Sequence, residues 1–219
     1  MKNTFLPFII IVGIVAVLIS FDKQPHKTKA DNEHNHHHHG EHKHEAGNEP
    51  KVTDKSAIGG EFHLTNQHGQ AIDNSSLIGD YHLVFFGFTH CPAICPTGLA
   101  NITAALNQMD KSAPTIIPIF ITLDGERDTV EKLSNYMKNF HKSFIALTGS
   151  LDEIKQAADS YKVYYSIDKH SKGEDYNVNH SAFIYLMDKE GKYKAHFQYD
   201  IDPKTLAEKL TTLISNKTK

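Results

Sequence analysis

The chain contains two cysteines, Cys91 and Cys95, and both lie where the sequence predicts that a strand turns into a helix. A continuous apolar run, residues 83–88, precedes them, and a helical pattern follows from Pro96. At such a junction the backbone N–H groups and the positive end of the helix dipole lower the pKa of a thiol. They thereby favour the thiolate, the form that binds soft metals and attacks disulfides. We therefore expect this pair of thiols to carry chemistry.

The spacing of the two cysteines bears on which chemistry that is. Residues four apart on a helix have Cβ atoms about 5–6 Å apart, whereas a relaxed disulfide requires about 3.8 Å. A metal ion with metal–sulfur bonds of about 2.3 Å tolerates the wider gap, so the spacing slightly favours metal binding. The alternative is that both residues only fill the core, as free buried cysteines often do. Pro92 and Pro96, which flank them at the junction, argue against this alternative.

Composition excludes some classes of function. The net charge is −3, and the lysines are scattered without a basic stripe interleaved with aromatic residues, so nothing indicates a nucleic-acid partner. The length allows one domain with extensions.

The N-terminus predicts a membrane anchor over residues 1–21. After Lys2 no residue is charged as far as Phe21, and this stretch is long enough to span a bilayer. It ends without the small residues that a signal peptidase prefers, which favours an uncleaved transmembrane helix. The three lysines that follow, taken alone, place the rest of the chain inside the cell: Lys23, Lys27 and Lys29.

Residues 22–57 predict a disordered, histidine-rich linker. The segment has almost no aliphatic side chains and cannot bury enough surface to fold. Its histidines run from His34 through His36–His39 to His42 and His44. Such a tract collects metal ions with low geometric selectivity, but an inert solvated spacer is an equally good interpretation.

From residue 58 to residue 219 the pattern is that of one α/β domain. The last helix is predicted to begin with Asp202 as its cap and Pro203 as its first residue. Ser150 and Glu153 have the spacing of a capping box and predict the start of another helix. The order of elements is typical of a thioredoxin-like fold, with a central mixed sheet flanked by helices. The predicted strands are 61–65, 83–88, 116–123, 144–147, 163–167, 182–187 and 193–199, and the predicted helices are 96–109, 129–140, 150–161 and 203–215.

Three blocks of the sequence resemble the signature blocks of the Sco/SenC family. They are FGFTHCPAICP at 86–96, DGERDT at 124–129 and VNHSAF at 178–183. The similarity extends over residues 58–215, with the blocks in the family's order. Members of this family are membrane-anchored copper proteins needed to assemble the binuclear copper site of cytochrome c oxidase.

The resemblance implies that Cys91, Cys95 and His180 bind copper. Physical chemistry agrees, because two thiolates and one imidazole suit soft Cu(I), and three ligands fall short of the usual four of a structural zinc site. The loops after the first two buried strands should open at the carboxyl edge of the sheet. The start of the strand near Ala182 should reach the same edge. Asp124 is expected either to support the ligands from behind or to dock a partner.

The alternative for Asp124, Arg127 and Asp128 is a loop salt bridge with a helix cap. His90 is expected to shape the site without binding metal. The other histidines of the domain have no partner at ligand spacing and are expected to be structural or at the surface: His63, His68, His82, His141, His170 and His196.

The chain departs from the family pattern at three positions near these blocks. Many relatives carry Asp where this chain has Ala93 and Asn179, and Pro where it has Gly125. Losing two carboxylates removes negative charge that would favour a cation or a basic partner. No departure falls on a predicted ligand.

Two functions follow from these observations. The first is a metallochaperone that delivers Cu(I) to, or helps assemble, the copper-bearing subunit of cytochrome c oxidase. The alternative is a membrane-anchored thiol–disulfide oxidoreductase, in which Cys91 attacks and Cys95 resolves, reducing the oxidase's own copper-ligand cysteines. The family resemblance implies a single-pass protein of the bacterial inner membrane with its domain in the periplasm, against the lysine count.

Overall fold

The computed structural model describes residues 58–110, 113–167 and 176–215. The predicted anchor, residues 1–21, and the predicted linker, residues 22–57, lie outside the described residues. Within the described ranges, none of the helices has the length and apolar character needed to cross a membrane.

The predicted strands and helices occur in the predicted order along the described residues. The strands are β1 (His63–Asn66), β2 (Ala71–Asp73), β3 (Tyr81–Gly87), β4 (Ile116–Thr122), β5 (Ile145–Thr148), β6 (Tyr165–Ile167), β7 (Val178–His180), β8 (Phe183–Met187) and β9 (Tyr193–Gln198). The helices are α1 (Ile94–Gln108), α2 (Val130–Met137), α3 (Leu151–Ser160) and α4 (Pro203–Ser215), and a short 3-10 turn covers Asn74–Leu77.

Seven of these strands form one mixed sheet in the order β2-β1-β5-β4-β3-β8-β9. β3, β4 and β5 are parallel, whereas β1 and β8 run antiparallel to β5 and β3. The central strands are apolar at nearly every position and are buried, as strands covered on both faces must be. The predicted thioredoxin-like α/β architecture is confirmed.

Local signals set several helix ends as predicted. Ser150 and Glu153 form a reciprocal capping box at the start of α3. α1 begins at Ile94, two residues earlier than predicted. Pro96 is tolerated there because the first turn of a helix leaves its N–H groups without intrahelical partners.

A second, two-stranded sheet pairs β6 with β7 in antiparallel register, so that Tyr165 faces His180. The sequence predicted β6 but not β7. This small sheet matters because β7 carries His180 and ends three residues before β8 begins.

The topology brings three chain segments to one edge of the main sheet. Because β3 and β4 are parallel, the thiol loop (residues 88–93) and the β4–α2 loop (residues 123–129) leave the sheet at the same edge. β8 runs antiparallel to β3 and therefore begins there. The histidine segment (residues 176–181) thus reaches the same edge, as predicted.

Candidate metal centre

The thiol loop and the first turn of α1 place the two cysteines side by side. Cys91 lies two residues before the helix N-cap, Ala93, and is half-buried, whereas Cys95 lies in the first turn and is fully buried. Both thiols are free. The predicted position at a strand-to-helix junction is confirmed. The Cβ–Cβ distance expected of two residues four apart on one helix does not apply, because Cys91 precedes the helix.

The two thiols have opposite electrostatic environments. The backbone N–H of Cys95 donates to Sγ of Cys91 at 3.4 Å. The Cys95 side chain and then the backbone N–H groups of residues 93–95 lower the pKa of Cys91 to about 5, against the opposing effect of burial. The thiol of Cys91 and burial both raise the pKa of Cys95. The pair therefore holds one thiolate near neutral pH, on Cys91.

Gly87, the last residue of β3, makes room for the buried thiol. A Cβ at this position would lie 2.7 Å from Sγ of Cys95 and 2.9 Å from the ring of Phe120. No ordinary contact is so short, so any side chain here would displace the sulfur or the ring.

His180 ends β7 with its Nε2 atom 3.7 Å from Sγ of Cys95. Its Nδ1 lies 3.0 Å from the carbonyl oxygen of Ser181. A carbonyl can only accept a hydrogen bond, so Nδ1 carries the proton and Nε2 presents its lone pair toward the thiol. The Phe88 ring and the imidazole pack edge to face, with ring centroids 6.1 Å apart. The Nε2 lone pair of His180 is thus available on the side of the thiols.

Cys91 and His180 line one open pocket of about 330 Å³, and Cys95 is buried beside it. Two donor atoms bound to the same ion at about 2.0–2.3 Å lie at most about 4.6 Å apart, and the separation between Cys95 and His180 satisfies this limit. Among the described residues, the set of three donor atoms that all lie within 4.8 Å of one another belongs instead to His90, Asp124 and Asp128. Closing Cys91, Cys95 and His180 around one ion therefore requires a further approach of the side chains.

The set formed by His90, Asp124 and Asp128 is poorly suited to a metal ion. Both carboxylates are buried and already accept hydrogen bonds from protein groups. The ammonium group of Lys132 lies 3.0 and 3.1 Å from the two ring nitrogens of the exposed His90. A cation beside the only nitrogen ligand opposes the binding of a second cation.

Asp128, in the β4–α2 loop, connects that loop to the thiol loop by hydrogen bonds. It is fully buried and accepts hydrogen bonds from the backbone N–H of Thr89 at 2.9 Å and the Thr89 hydroxyl at 2.5 Å. The hydroxyl of Thr122 donates to the same carboxylate at 2.6 Å. The cap expected as one alternative for Asp128 is wrong, because Thr129 is the N-cap of α2 and accepts from the N–H of Lys132.

Asp124 connects the histidine segment to the β4–α2 loop by a hydrogen bond. One carboxylate oxygen accepts from Nε of Arg127, which confirms the salt bridge expected as the alternative. The other accepts from the hydroxyl of Tyr176 at 2.5 Å. Burial first, and then this hydrogen bond, raise the pKa of Tyr176 to about 12. The sequence prediction missed Tyr176, because no pattern marks a residue whose partner lies 52 positions away.

The three departures from the family pattern have different surroundings. Ala93 and Asn179 are exposed and line the pocket, so its rim is uncharged at both positions. At Gly125 a Cβ would lie only 2.4 Å from the carbonyl oxygen of Gly149. The β4–α2 loop of this chain therefore approaches the start of α3 more closely than a side chain at position 125 would allow.

Comparison with known proteins places these features in a family. The SCO1/SenC family model matches residues 50–215. A SCO2-like protein of Rickettsia prowazekii is 44% identical over 156 residues, which cover 71% of this chain and 76% of the relative. The crystal structure of Arabidopsis thaliana ScoI with copper bound is 39% identical with a TM-score of 0.68, covering 74% of this chain and 100% of that one.

A second solved structure agrees with the first. Yeast Sco1 with copper bound is 37% identical with a TM-score of 0.70, and the match covers 74% of this chain and 91% of that one. The fold, the order of the three sequence blocks and the extent of these matches lead to one conclusion: the chain belongs to the SCO1/SenC family.

Proposed function

We propose that this chain binds Cu(I) through Cys91, Cys95 and His180 and delivers it during assembly of the binuclear copper site of cytochrome c oxidase. The observation that carries the proposal is the approach of His180 Nε2 to Sγ of Cys95 at 3.7 Å, with the imidazole proton held on Nδ1. Copper bound in the related structures supports it. Copper is here the cargo of the protein.

The donor set suits both capture and release of a monovalent copper ion. Thiolates and imidazole are the ligands that soft Cu(I) prefers. Cys91 supplies a thiolate without the cost of deprotonation near neutral pH, since its pKa is about 5. The pocket beside it is open, so a soft ligand of the partner, the copper-bearing subunit of the oxidase, can enter while the chain still holds the ion.

The proposal includes an N-terminal anchor. Residues 1–21 would hold the protein in the bacterial inner membrane, with the domain facing the periplasm. A reporter fused after residue 219 that is active only in the cytoplasm would contradict this orientation.

Copper binding is tested with the purified full-length chain loaded anaerobically with Cu(I). We expect a thiolate-to-copper charge-transfer absorbance that saturates at one equivalent, since the histidine-rich linker has no sulfur and cannot contribute to this band. In competition with a Cu(I) chelator, His180→Ala should weaken binding by at least about tenfold. The control is His68→Ala, which alters an exposed histidine on the turn between β1 and β2. Equal affinity of His180→Ala and the unaltered chain would remove His180 from the site.

The asymmetry of the thiols favours a second candidate function, thiol–disulfide exchange. The half-buried, low-pKa sulfur of Cys91, which lines the open pocket, would attack a substrate disulfide to form a mixed disulfide. Cys95 would then attack Cys91, releasing the reduced substrate and leaving an intramolecular disulfide for an external dithiol to reduce. Turnover of copper-free protein that survives in His180→Ala but is lost in Cys91→Ser would establish this activity. Turnover absent from the unaltered chain would exclude it.

A further inference from the structure

We propose that Tyr176 is a positioning residue, which holds His180 beside the thiols by closing onto Asp124 and Arg127. We call these three residues the clasp. The proposal rests on the proposed function, because it assigns the clasp a role in presenting one of the three copper ligands.

The clasp is a compact set of complementary contacts. The Tyr176 hydroxyl donates to Asp124 at 2.5 Å, and Nη1 of Arg127 donates to the carbonyl oxygen of Tyr176 at 3.0 Å. The guanidinium carbon lies 3.6 Å from the centroid of the Tyr176 ring, within the range of a cation–π contact. Side chain and backbone of Tyr176 are therefore both bound to the β4–α2 loop.

The clasp controls His180 because both belong to the same short segment. Tyr176 precedes His180 by four residues, Val178 between them is buried in the core, and the N–H of Ser181 donates to the carbonyl of Tyr164 at 2.9 Å. The histidine segment is thus fixed at its start, its middle and its end. Of these three points, the clasp is the one that connects it to the β4–α2 loop, which also anchors the thiol loop.

Arg127 supports the imidazole by a second route. Its guanidinium lies 5.9 Å from the centroid of Phe88, and the Phe88 ring and the His180 imidazole pack edge to face. Displacing Arg127 would therefore loosen both the segment that carries His180 and the ring against which it packs.

This arrangement gives Asp124 a role other than metal ligand. Its two oxygens already accept from Arg127 and Tyr176, and it is 1% exposed. Carboxylate oxygen is also a poor ligand for soft Cu(I). Asp124 acts on the copper site through Tyr176.

The test is Tyr176→Phe in the full-length chain. This change keeps the ring over Arg127 and removes only the hydroxyl. We expect the Cu(I) affinity, measured by chelator competition on the charge-transfer band, to fall about fourfold, the effect of losing one partly exposed hydrogen bond. The endpoint of the titration should remain one equivalent, because both thiols are retained. The control is Tyr193→Phe, which removes a hydroxyl that hydrogen-bonds at 2.6 Å to His196 on the edge strand β9, and it should change neither the affinity nor the endpoint.

A double variant separates positioning from a general structural role. If the clasp acts through His180, Tyr176→Phe should have no further effect on affinity in a His180→Ala background. Additive losses, or unaltered affinity in Tyr176→Phe beside a clear loss in His180→Ala, would overturn the clasp alone. No loss in His180→Ala would instead overturn the ligand role of His180, and the clasp proposal with it.

Discussion

The thiol loop and the histidine segment are both fastened to the β4–α2 loop, but by different contacts. The thiol loop is held through Asp128, a carboxylate that is completely buried between two threonines. The histidine segment is held through the Tyr176 hydroxyl on Asp124, a carboxylate that is also buried. The difference lies in the donors. Thr122, which donates to Asp128, is fully buried. Tyr176 and Arg127, which donate to Asp124, are both partly exposed. Buried hydrogen bonds to a charge are expensive to break, whereas partly exposed ones exchange more readily with water. We infer that the two sulfurs are held rigidly and that the imidazole is released more easily.

The reactivity of the thiols gives the largest expected effect. With a pKa of about 5, Cys91 is almost entirely thiolate at pH 7, whereas the raised pKa of Cys95 keeps that thiol protonated. We expect iodoacetamide to alkylate Cys91 at least about 100-fold faster than Cys95 in the reduced, metal-free chain. Peptide mass spectrometry over a time course distinguishes the two sites. Comparable rates would contradict the asymmetry.

The same pKa shifts predict how stability depends on pH. The folded pKa of Cys91 lies below its ordinary value of 9.0, so its contribution is complete above pH 9 and is lost as the pH falls toward about 5. For Cys95 the folded pKa is raised, so its contribution is lost as the pH rises above 9. Relative to Cys91→Ser/Cys95→Ala, the unaltered chain should therefore gain stability from pH 5 to pH 9. Denaturant midpoints of both proteins at each pH, measured without metal, would show this.

Thr122→Val tests how strongly Asp128 holds the thiol loop. The Thr122 hydroxyl donates to Asp128 and accepts from the N–H of Asp124, and the residue is fully buried. Valine keeps the volume but leaves a buried carboxylate with one donor fewer. We expect the free energy of unfolding to fall by about 2 kcal/mol, measured by urea denaturation of the metal-free chain. A loss under about 0.5 kcal/mol would show that Asp128 is not the strong anchor inferred here.

Tyr176→Phe tests the attachment of the histidine segment, again by urea denaturation of the metal-free chain. Only one partly exposed hydrogen bond is lost, so the free energy of unfolding should fall by less than about 1 kcal/mol. A loss as large as that of Thr122→Val would show that the thiol loop and the histidine segment are held to the β4–α2 loop equally strongly.

The same contrast explains what the sequence could and could not predict. The thiols, β3, α1 and β4 are neighbours along the chain, and apolar runs and turn residues mark them directly. β7 and Tyr176 carry no such signal. β7 is three residues long and, among the described strands, pairs with β6 alone, and the partner of Tyr176 is a loop residue 52 positions away. His180 was predicted as a ligand from the family resemblance, whereas the way it is held became visible only through long-range contacts.

The smallest expected effect concerns His90, which adjoins Cys91 and belongs to the one described set of three donor atoms within 4.8 Å of one another. If that set bound copper, His90→Asn would lower the copper content. We expect no change in either the stoichiometry or the charge-transfer band, because Lys132 already faces both ring nitrogens and the two carboxylates are bound to Arg127, Tyr176 and the threonines. Lys132→Met is the matched variant, since it removes the opposing cation and leaves His90 in place. Copper beyond one equivalent in Lys132→Met that disappears when His90→Asn is added would show that the lysine alone keeps this second set from binding metal.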